Sequence, residues 1–190
     1  MTAKHSKKGK LFVISGPSGV GKGTIARELL AQDKELVWSV SCTTRKPREN
    51  EVPGQDYHFL SSEEFTSKVK NGGFLEFAEV HGFQYGTQKA ALEKLLAEGK
   101  KVLVEIDVQG ALKIKHSGLP SILIFLLPPS SEELTNRLKG RNSETEDTLK
   151  TRLRTAEREL ELKEKYDYII VNKDLEKTLN EIHKIIENNK

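Results

Sequence analysis

A glycine-rich stretch near the start of the chain, SGPSGVGKGT (15–24), has the residue types and spacing of a phosphate-binding loop. Gly16, four further residues, Gly21 and Lys22 follow an apolar run and precede a helical pattern. Glycines let successive backbone N–H groups curl around a polyphosphate, the helix N-terminus adds partial positive charge, and the lysine reaches the outer phosphates. The alternative is a glycine-rich turn with a solvated lysine. Placement between a strand and a helix favours the phosphate loop.

The loop departs from the usual pattern at Gly23, where Ser or Thr ordinarily supplies a hydroxyl to Mg²⁺. A metal here would rely on Thr24, on water, or on a carboxylate from elsewhere in the chain. Asp107 closes the apolar run VLVEID (102–107), and the carboxyl end of a buried strand suits a metal shell. Asp107 could equally cap the following helical pattern, VQGALKIK (108–115), and both roles are compatible.

A second anion site is indicated by the segment SCTTRKPRENEVPGQDYHF (41–59). Arg45 and Arg48 are separated by a lysine and a proline, and the proline stiffens the link so that both guanidinium groups can face one target. Together with the hydroxyl of Tyr57 they could share the oxygens of a second phosphate. For an isolated RKPR, a solvated basic loop would be the better interpretation, so the context must decide.

The elements that position these residues follow from hydrophobic patterning. Short apolar runs predict strands that are buried on both faces of a parallel sheet: LFVIS (11–15), VLVEID (102–107), SILIFLL (121–127) and YIIV (168–171). Helical patterns alternate with them, so we predict an α/β fold with a parallel, doubly wound sheet and helices on both faces. Two stretches interrupt this alternation, a polar and aromatic one (41–88) and a charged one (130–159).

Composition restricts the class of protein. The 190 residues carry a net charge of +3 and one cysteine, so no internal disulfide can form and a reducing, cytoplasmic location is expected. No apolar run approaches the ~20 residues that span a bilayer, and we expect no membrane partner. A basic lead (1–9) is predicted to be disordered. RNA binding by this lead is less favoured than a solvated tail, and no nucleic-acid partner is expected.

Six stretches together resemble the guanylate kinase family of nucleoside monophosphate kinases: GPSGVGKG, TTRKPR…E-x-x-G-x-DY, FLEFAEVHGFQYGT, EIDVQGA, RLKGR and YDYIIVN. The similarity runs from about Lys10 to the C-terminal helix, and the arginine-containing segment is its most specific part. It implies ATP-dependent phosphorylation of GMP, and of dGMP, with Mg²⁺ as cofactor, by a monomer or homodimer.

The resemblance also implies the domain organisation and the roles of residues. One domain (10–190) would have a P-loop NTPase core (10–40, 89–129 and 160–190), a small mixed α/β GMP-binding insertion (41–88) and a helical lid (130–159).

The ATP-binding residues would be Gly16, Pro17, Ser18, Gly19, Val20, Gly21, Lys22, Gly23 and Thr24. The GMP-binding residues would be Ser41, Arg45, Arg48, Tyr57, Glu76, Tyr85, Thr87 and Asp107. The catalytic cations would be Lys22, Arg45, Arg141 and Arg152. Mg²⁺ would be held by Thr24 and by Asp107 through water.

The chemistry of guanine agrees with the role implied for Glu76. Guanine presents adjacent donors at N1 and N2, and one carboxylate can accept from both, whereas adenine places a bare acceptor at N1. A buried carboxylate left unpaired would reject adenine strongly. Without the resemblance, a solvated strand residue in FLEFAEV (74–80) would be the better interpretation of Glu76. Glu105 stands where relatives often have Asp. This exchange keeps the negative charge and changes the length of the side chain that carries it.

No general base is required, because the attacking phosphate oxygen is largely ionised near neutral pH. We accordingly interpret His58, His81 and His116 as structural or solvated. Two rivals remain at this point: an inactive protein-binding module of the same fold, which typically lacks an intact glycine loop, and a kinase that acts on another nucleotide. Glu76 is the residue that distinguishes a GMP kinase from a kinase that acts on another nucleotide.

Overall fold

The computed structural model describes residues 8–49, 51–80, 82–139 and 146–189. The strands in these ranges are β1 Lys10–Ser15, β2 Leu36–Trp38, β3 Cys42–Thr43, β4 His58–Phe59, β5 Phe74–Val80, β6 Phe83–Gln88, β7 Lys101–Glu105, β8 Ser121–Leu127 and β9 Tyr168–Val171. The helices are α1 Lys22–Gln32, α2 Ser62–Lys70, α3 Lys89–Ala97, α4 Val108–His116, α5 Ser131–Lys139, α6 Glu146–Leu160 and α7 Leu175–Asn188. No helix in these ranges combines the length and apolarity needed to cross a bilayer.

The core is a five-stranded parallel sheet with strand order β2-β7-β1-β8-β9. Along β1, Phe12 and Ile14 pack toward α1 and α7, while Leu11 and Val13 pack toward α3 and α4. Both faces of the sheet are therefore covered, which explains the continuous apolar runs. The predicted α/β class with helices on both faces is confirmed.

Three of the four predicted core strands match closely, and two differences have local causes. The strand β7 ends at Glu105 because Asp107 already has its side chain on the first amides of α4. The strand β2 was not predicted, since its three residues are too few to show a pattern.

A second sheet lies between β2 and α3 in the chain and has the order β4-β3-β6-β5. Its pairs are mixed, with β3 parallel to β4 and antiparallel to β6. In β5 the side chains of Phe74, Glu76 and Ala78 face the buried side, and the register shifts between Phe74 and Glu76. The interpretation of Glu76 as a solvated strand residue is therefore wrong, because the pleat turns its carboxylate inward.

The helix pair α5 and α6 has a small apolar core of its own, formed by Leu134, Leu138 and Ala156. Arg141, which the resemblance assigns as a catalytic cation of the lid, lies outside the described residues. Two other helix ends carry residues that are typical of such ends. Ser61 forms a reciprocal capping box at the start of α2, and Gly99 adopts a φ of 76° just beyond α3.

Candidate active site

A cleft of about 350 Å³ lies where the carboxyl ends of the core strands face the second sheet. Open parallel sheets bind ligands at this edge. Its walls come from the loop between β1 and α1, the start of α1, the end of β2, the segment around β3 to β6, the end of β7, and α6. The cleft therefore joins the two predicted anion sites in a single space.

The loop after β1 is shaped by glycines that no other residue could replace without strain. Gly16 has a φ of 142°, and a Cβ on it would lie 2.5 Å from the Leu126 carbonyl oxygen. Gly19 has a φ of 87°, and a Cβ on it would lie 2.9 Å from the Leu138 side chain in α5. The Lys22 ammonium donates to the carbonyl oxygens of Gly16 at 2.6 Å and Pro17 at 3.1 Å. The lysine is thus held over the loop that it is expected to serve.

The phosphate loop is also held in place by three residues that the sequence analysis did not single out. The Asn172 side chain, just after β9, donates to the Val20 carbonyl oxygen at 2.8 Å. Thr178 donates to the Asn172 amide oxygen at 3.2 Å, and the Arg137 guanidinium donates to the Val20 carbonyl oxygen at 3.4 Å. These contacts fix one carbonyl of the loop.

The two arginines of the second predicted site are organised by Glu51. Arg45 makes a bidentate pair with Glu51, with nitrogen–oxygen distances of 2.9 and 2.8 Å, and only 12% and 13% of the two side chains are exposed. Arg48 approaches the same carboxylate at 3.7 Å, is 60% exposed, and donates its backbone N–H to Glu51 at 2.8 Å. Burial disfavours the Glu51 carboxylate, but the hydrogen bonds from Arg45 and Arg48 outweigh it and lower its pKa.

Aromatic rings frame this pair. The Arg45 guanidinium carbon lies 5.5 Å from the centre of the Tyr57 ring, and Tyr85 meets Tyr57 edge-on with centroids 6.0 Å apart. Burial, followed by the nearby Glu105 charge, raises the pKa of Tyr57. Its hydroxyl is therefore protonated at neutral pH and can donate a hydrogen bond to an anion.

Glu76 is a carboxylate buried on the second sheet, with 4% of the residue exposed. One oxygen accepts from the Thr87 hydroxyl at 2.6 Å and from the Thr87 backbone N–H at 3.1 Å. Burial, which outweighs these bonds, raises the pKa of Glu76 to about 7. The other oxygen lies against α4, where a Cβ on Gly110 would come within 2.6 Å of it.

Asp107 has the capping role that the sequence left open. Its carboxylate accepts from the backbone N–H groups of Gln109 at 2.8 Å and Gly110 at 3.1 Å. It also lines the cleft, so the cap does not remove it from the site. A metal role for Asp107 stays a prediction.

The helix α6 brings two charged residues to the phosphate loop. Arg152 and Glu159 both line the cleft, whereas Arg154 and Arg158 are exposed on the other side of the helix. The Glu159 carboxylate lies near the Ser18 backbone N–H, and burial, opposed by the charge of Lys22, raises the pKa of Glu159 to about 7. A protein carboxylate therefore lies near one of the amides expected to bind phosphate.

Most of the predicted site residues line this one cleft, namely Gly16, Ser18, Gly19, Gly21, Lys22, Gly23, Thr24, Ser41, Arg45, Arg48, Tyr57, Glu76, Tyr85, Asp107 and Arg152. Pro17 and Val20 form the backbone of the loop, and Thr87 lies behind Glu76. Arg141 falls outside the described residues. Sequence reasoning missed Glu51, Gly110 and Glu159. Glu51 was present in the E-x-x-G-x-DY motif, and a glycine inside a helix marked position 110, but no pattern pointed to Glu159.

Comparison with known proteins agrees with this geometry. The family model described as guanylate kinase matches residues 8–189. A guanylate kinase of Clostridium perfringens is 49% identical over 95% of this chain and 84% of its own length. One from Clostridium acetobutylicum is 50% identical over 95% of this chain and 86% of its own length.

Solved structures give the same result. The crystal structure of guanylate kinase from Anaplasma phagocytophilum superposes with a TM-score of 0.81 and 38% identity, covering 96% of this chain and 87% of that one. A shikimate kinase from Bacteroides thetaiotaomicron, with a TM-score of 0.54 and 15% identity over 94% and 98% of the two chains, shares the fold alone. The resemblance noted from the motifs is thereby confirmed, and this chain belongs to the guanylate kinase family.

Proposed function

We propose that this protein transfers the γ-phosphoryl group of ATP to the phosphate of GMP, and of dGMP, by in-line displacement. The observation that carries the proposal is one cleft in which a phosphate loop faces a partly buried arginine–tyrosine cluster, with a buried glutamate beside it. The intact loop argues against the alternative of an inactive protein-binding module. The expected partners are the two nucleotides, in the cytoplasm, with the protein acting as a monomer or homodimer.

The acceptor phosphate is bound by Arg45, Arg48, Tyr57 and Tyr85. Glu51 holds the Arg45 guanidinium in a bidentate pair, so the charge is largely buried and already oriented. A phosphate on the open side of this cluster would add charge-assisted hydrogen bonds without displacing Glu51. The arginines therefore act chiefly by positioning the nucleophilic oxygen.

Guanine is recognised by Glu76, with Ser41, Thr87 and Asp107 around it. Burial raises the pKa of Glu76 to about 7, and the guanine N1–H and N2–H donors would favour its ionised form. Thr87 donates to Glu76 in this structure, which aims the carboxylate. An adenine base would leave that carboxylate buried and unpaired, so the site rejects AMP.

ATP is bound through the loop from Gly16 to Thr24, with Lys22 on the outer phosphates. Mg²⁺ fits this cleft, because its wall carries the hydroxyl of Thr24 and the carboxylates of Glu105 and Asp107, the hard oxygen ligands that this ion prefers. Thr24 and Asp107 would hold it, the latter through water. Bound there, the ion neutralises charge on the phosphates.

No residue is needed to remove a proton from the acceptor, so the protein supplies alignment, positive charge and exclusion of water. Lys22 and Arg45 lie on either side of the line of transfer. Arg152, with Arg141, provides positive charge to the oxygens of the phosphoryl group during its transfer. Water would compete as acceptor. The insertion (41–88) and the lid (130–159) are therefore expected to close over the core (10–40, 89–129 and 160–190) before transfer.

The proposed specificity is tested by a coupled assay of ADP formation with GMP, AMP, UMP and CMP as acceptors. Wild type should use GMP far better than the others. Glu76→Gln should lower kcat/KM for GMP by about 100-fold or more, since a buried hydrogen-bonding group that is lost or mismatched typically costs several kcal/mol. The KM for ATP should change by less than about twofold. Undiminished GMP turnover in Glu76→Gln would contradict the assignment.

A second prediction concerns the room that Gly110 leaves for Glu76. Gly110→Ala should raise the KM for GMP by about tenfold, because the new Cβ would stand 2.6 Å from a Glu76 carboxylate oxygen and push this carboxylate out of position. Alanine favours the helix over glycine by up to ~1 kcal/mol, which offsets part of the cost of this close contact, and a thermal melt checks that the variant is folded. Gln109→Ala, exposed on the same helix, is the control. Equal GMP affinities in wild type and Gly110→Ala would refute the argument.

The third prediction concerns Glu159, whose carboxylate lies near the Ser18 amide. Glu159→Gln should bind ATP about tenfold more tightly in calorimetry, because like charges at a partly buried site repel by ~1–4 kcal/mol. Glu157→Gln makes the same change at an exposed position of α6 and should leave affinity unaltered. Weaker ATP binding in Glu159→Gln would mean that the carboxylate supports the loop instead of competing with phosphate.

A further inference from the structure

The strands β5 and β6 carry a row of paired side chains on one face of the second sheet. Three cross-strand pairs form this row: Glu76 with Thr87, Ala78 with Tyr85, and Val80 with Phe83. Side chains two residues apart on a strand point to the same face and lie about 6.8 Å apart along it. The row therefore runs in one direction, from the buried carboxylate to the last pair of the two strands.

The first two pairs of the row belong to the site proposed for GMP. Glu76, in the first pair, is assigned to guanine, and Tyr85, in the second, lies edge-on to Tyr57 in the cluster assigned to the acceptor phosphate. A nucleotide bound in this way leaves the third pair just beyond its phosphate. The γ-phosphoryl group must approach that phosphate on the side away from the nucleoside, so the third pair lies next to the place of transfer.

The third pair is apolar, unlike the charged groups that line the same cleft. Val80 and Phe83 both line it, together with Lys22, Arg45 and Asp107. Neither apolar side chain can donate a hydrogen bond to phosphate or to water, so the pair cannot serve as an anion ligand. What it can do is occupy space from which water is then excluded.

An exposed aromatic side chain is ordinary in itself. Phe77 on the same hairpin is 40% exposed, compared with 41% for Phe83. The ring of Phe77 lies on the opposite face of β5, where the Lys113 ammonium is 5.1 Å from its centre. Position in the cleft, and not exposure, therefore distinguishes Phe83 from Phe77.

We propose that Val80 and Phe83 exclude water from the place of phosphoryl transfer, so that GMP and not water is the acceptor. The inference rests on the proposed function, because both nucleotides must be in the cleft for the pair to act. Neither residue is assigned a contact with the reacting atoms, and the role of the pair is to keep a competing nucleophile away.

The two reactions differ only in the attacking oxygen. In transfer to GMP, a phosphate oxygen forms a bond to the γ-phosphorus of ATP, the bond from that phosphorus to the bridging oxygen breaks, and its electron pair leaves with ADP. A water oxygen that attacks instead breaks the same bond. The products are then ADP and inorganic phosphate, and one proton is released to solvent.

The test measures inorganic phosphate and GDP formed in the same reaction with ATP, Mg²⁺ and saturating GMP, and takes the ratio of phosphate to GDP. Phe83→Ser should raise this ratio by about tenfold or more, because the smaller polar side chain admits water beside the γ-phosphorus. Val80→Ser should raise it in the same direction. The affinity for GMP, measured by calorimetry, should change by less than about threefold in both variants.

Two further variants are the controls. Phe83→Leu keeps an apolar side chain in the cleft and should leave the ratio close to that of the wild type. Phe77→Ser removes a ring of matched exposure from the opposite face of the sheet and should also leave the ratio unchanged. Thermal melts check that each variant is folded.

An unchanged ratio in Phe83→Ser or in Val80→Ser would overturn the inference. An equal rise in Phe77→Ser would overturn it too, since water would then enter through a general loosening of the hairpin. An equal rise in Phe83→Leu would show that apolarity is not what matters at this position and would also overturn it. In each of these outcomes GDP is still formed, whereas failure of the proposed function would appear as no GDP formation by the wild type.

Discussion

Repulsion between two phosphate-bearing substrates is the constraint on which the rest of the site depends. The structure meets it by holding cations in place on internal acceptors before any anion arrives. Arg45 is paired with Glu51, and Lys22 lies on the carbonyl oxygens of its own loop. Each of these two side chains is thus held in a fixed position. Binding then adds phosphate oxygens to charges that are already oriented, which lowers the entropy lost on association.

The fold brings those groups together through the parallel sheet. Its strands end at a common edge, so the loop after β1, Glu105 after β7 and the clamp residue Asn172 after β9 meet there although they are distant in the chain. The second sheet supplies what the core lacks, a buried carboxylate and an arginine pair. Because the functional cations are gathered at this one edge, a net charge of only +3 is compatible with a cationic cleft.

The parts that could be predicted from sequence are those specified locally. The phosphate loop is a continuous stretch of glycines between a strand and a helix, and the core strands are continuous apolar runs. What could not be predicted depends on contacts between distant segments. The buried orientation of Glu76 comes from the pairing of β5 with β6, in which the register shifts between Phe74 and Glu76, and its proximity to Gly110 comes from the packing of α4 on β5. The contact of Glu159 with Ser18 depends on how α6 lies over the loop.

The most direct test of the central claim uses a bisubstrate ligand in which adenosine and guanosine are joined 5′ to 5′ through a polyphosphate chain. Trp38, the only tryptophan, lines the cleft and provides a fluorescence signal for binding. If both anion sites face one another, this ligand should bind at least about 100-fold more tightly than ATP or GMP alone, because the second half binds at high effective concentration. Both nucleotides should displace it. An affinity no better than that of ATP, or displacement by only one nucleotide, would contradict the account.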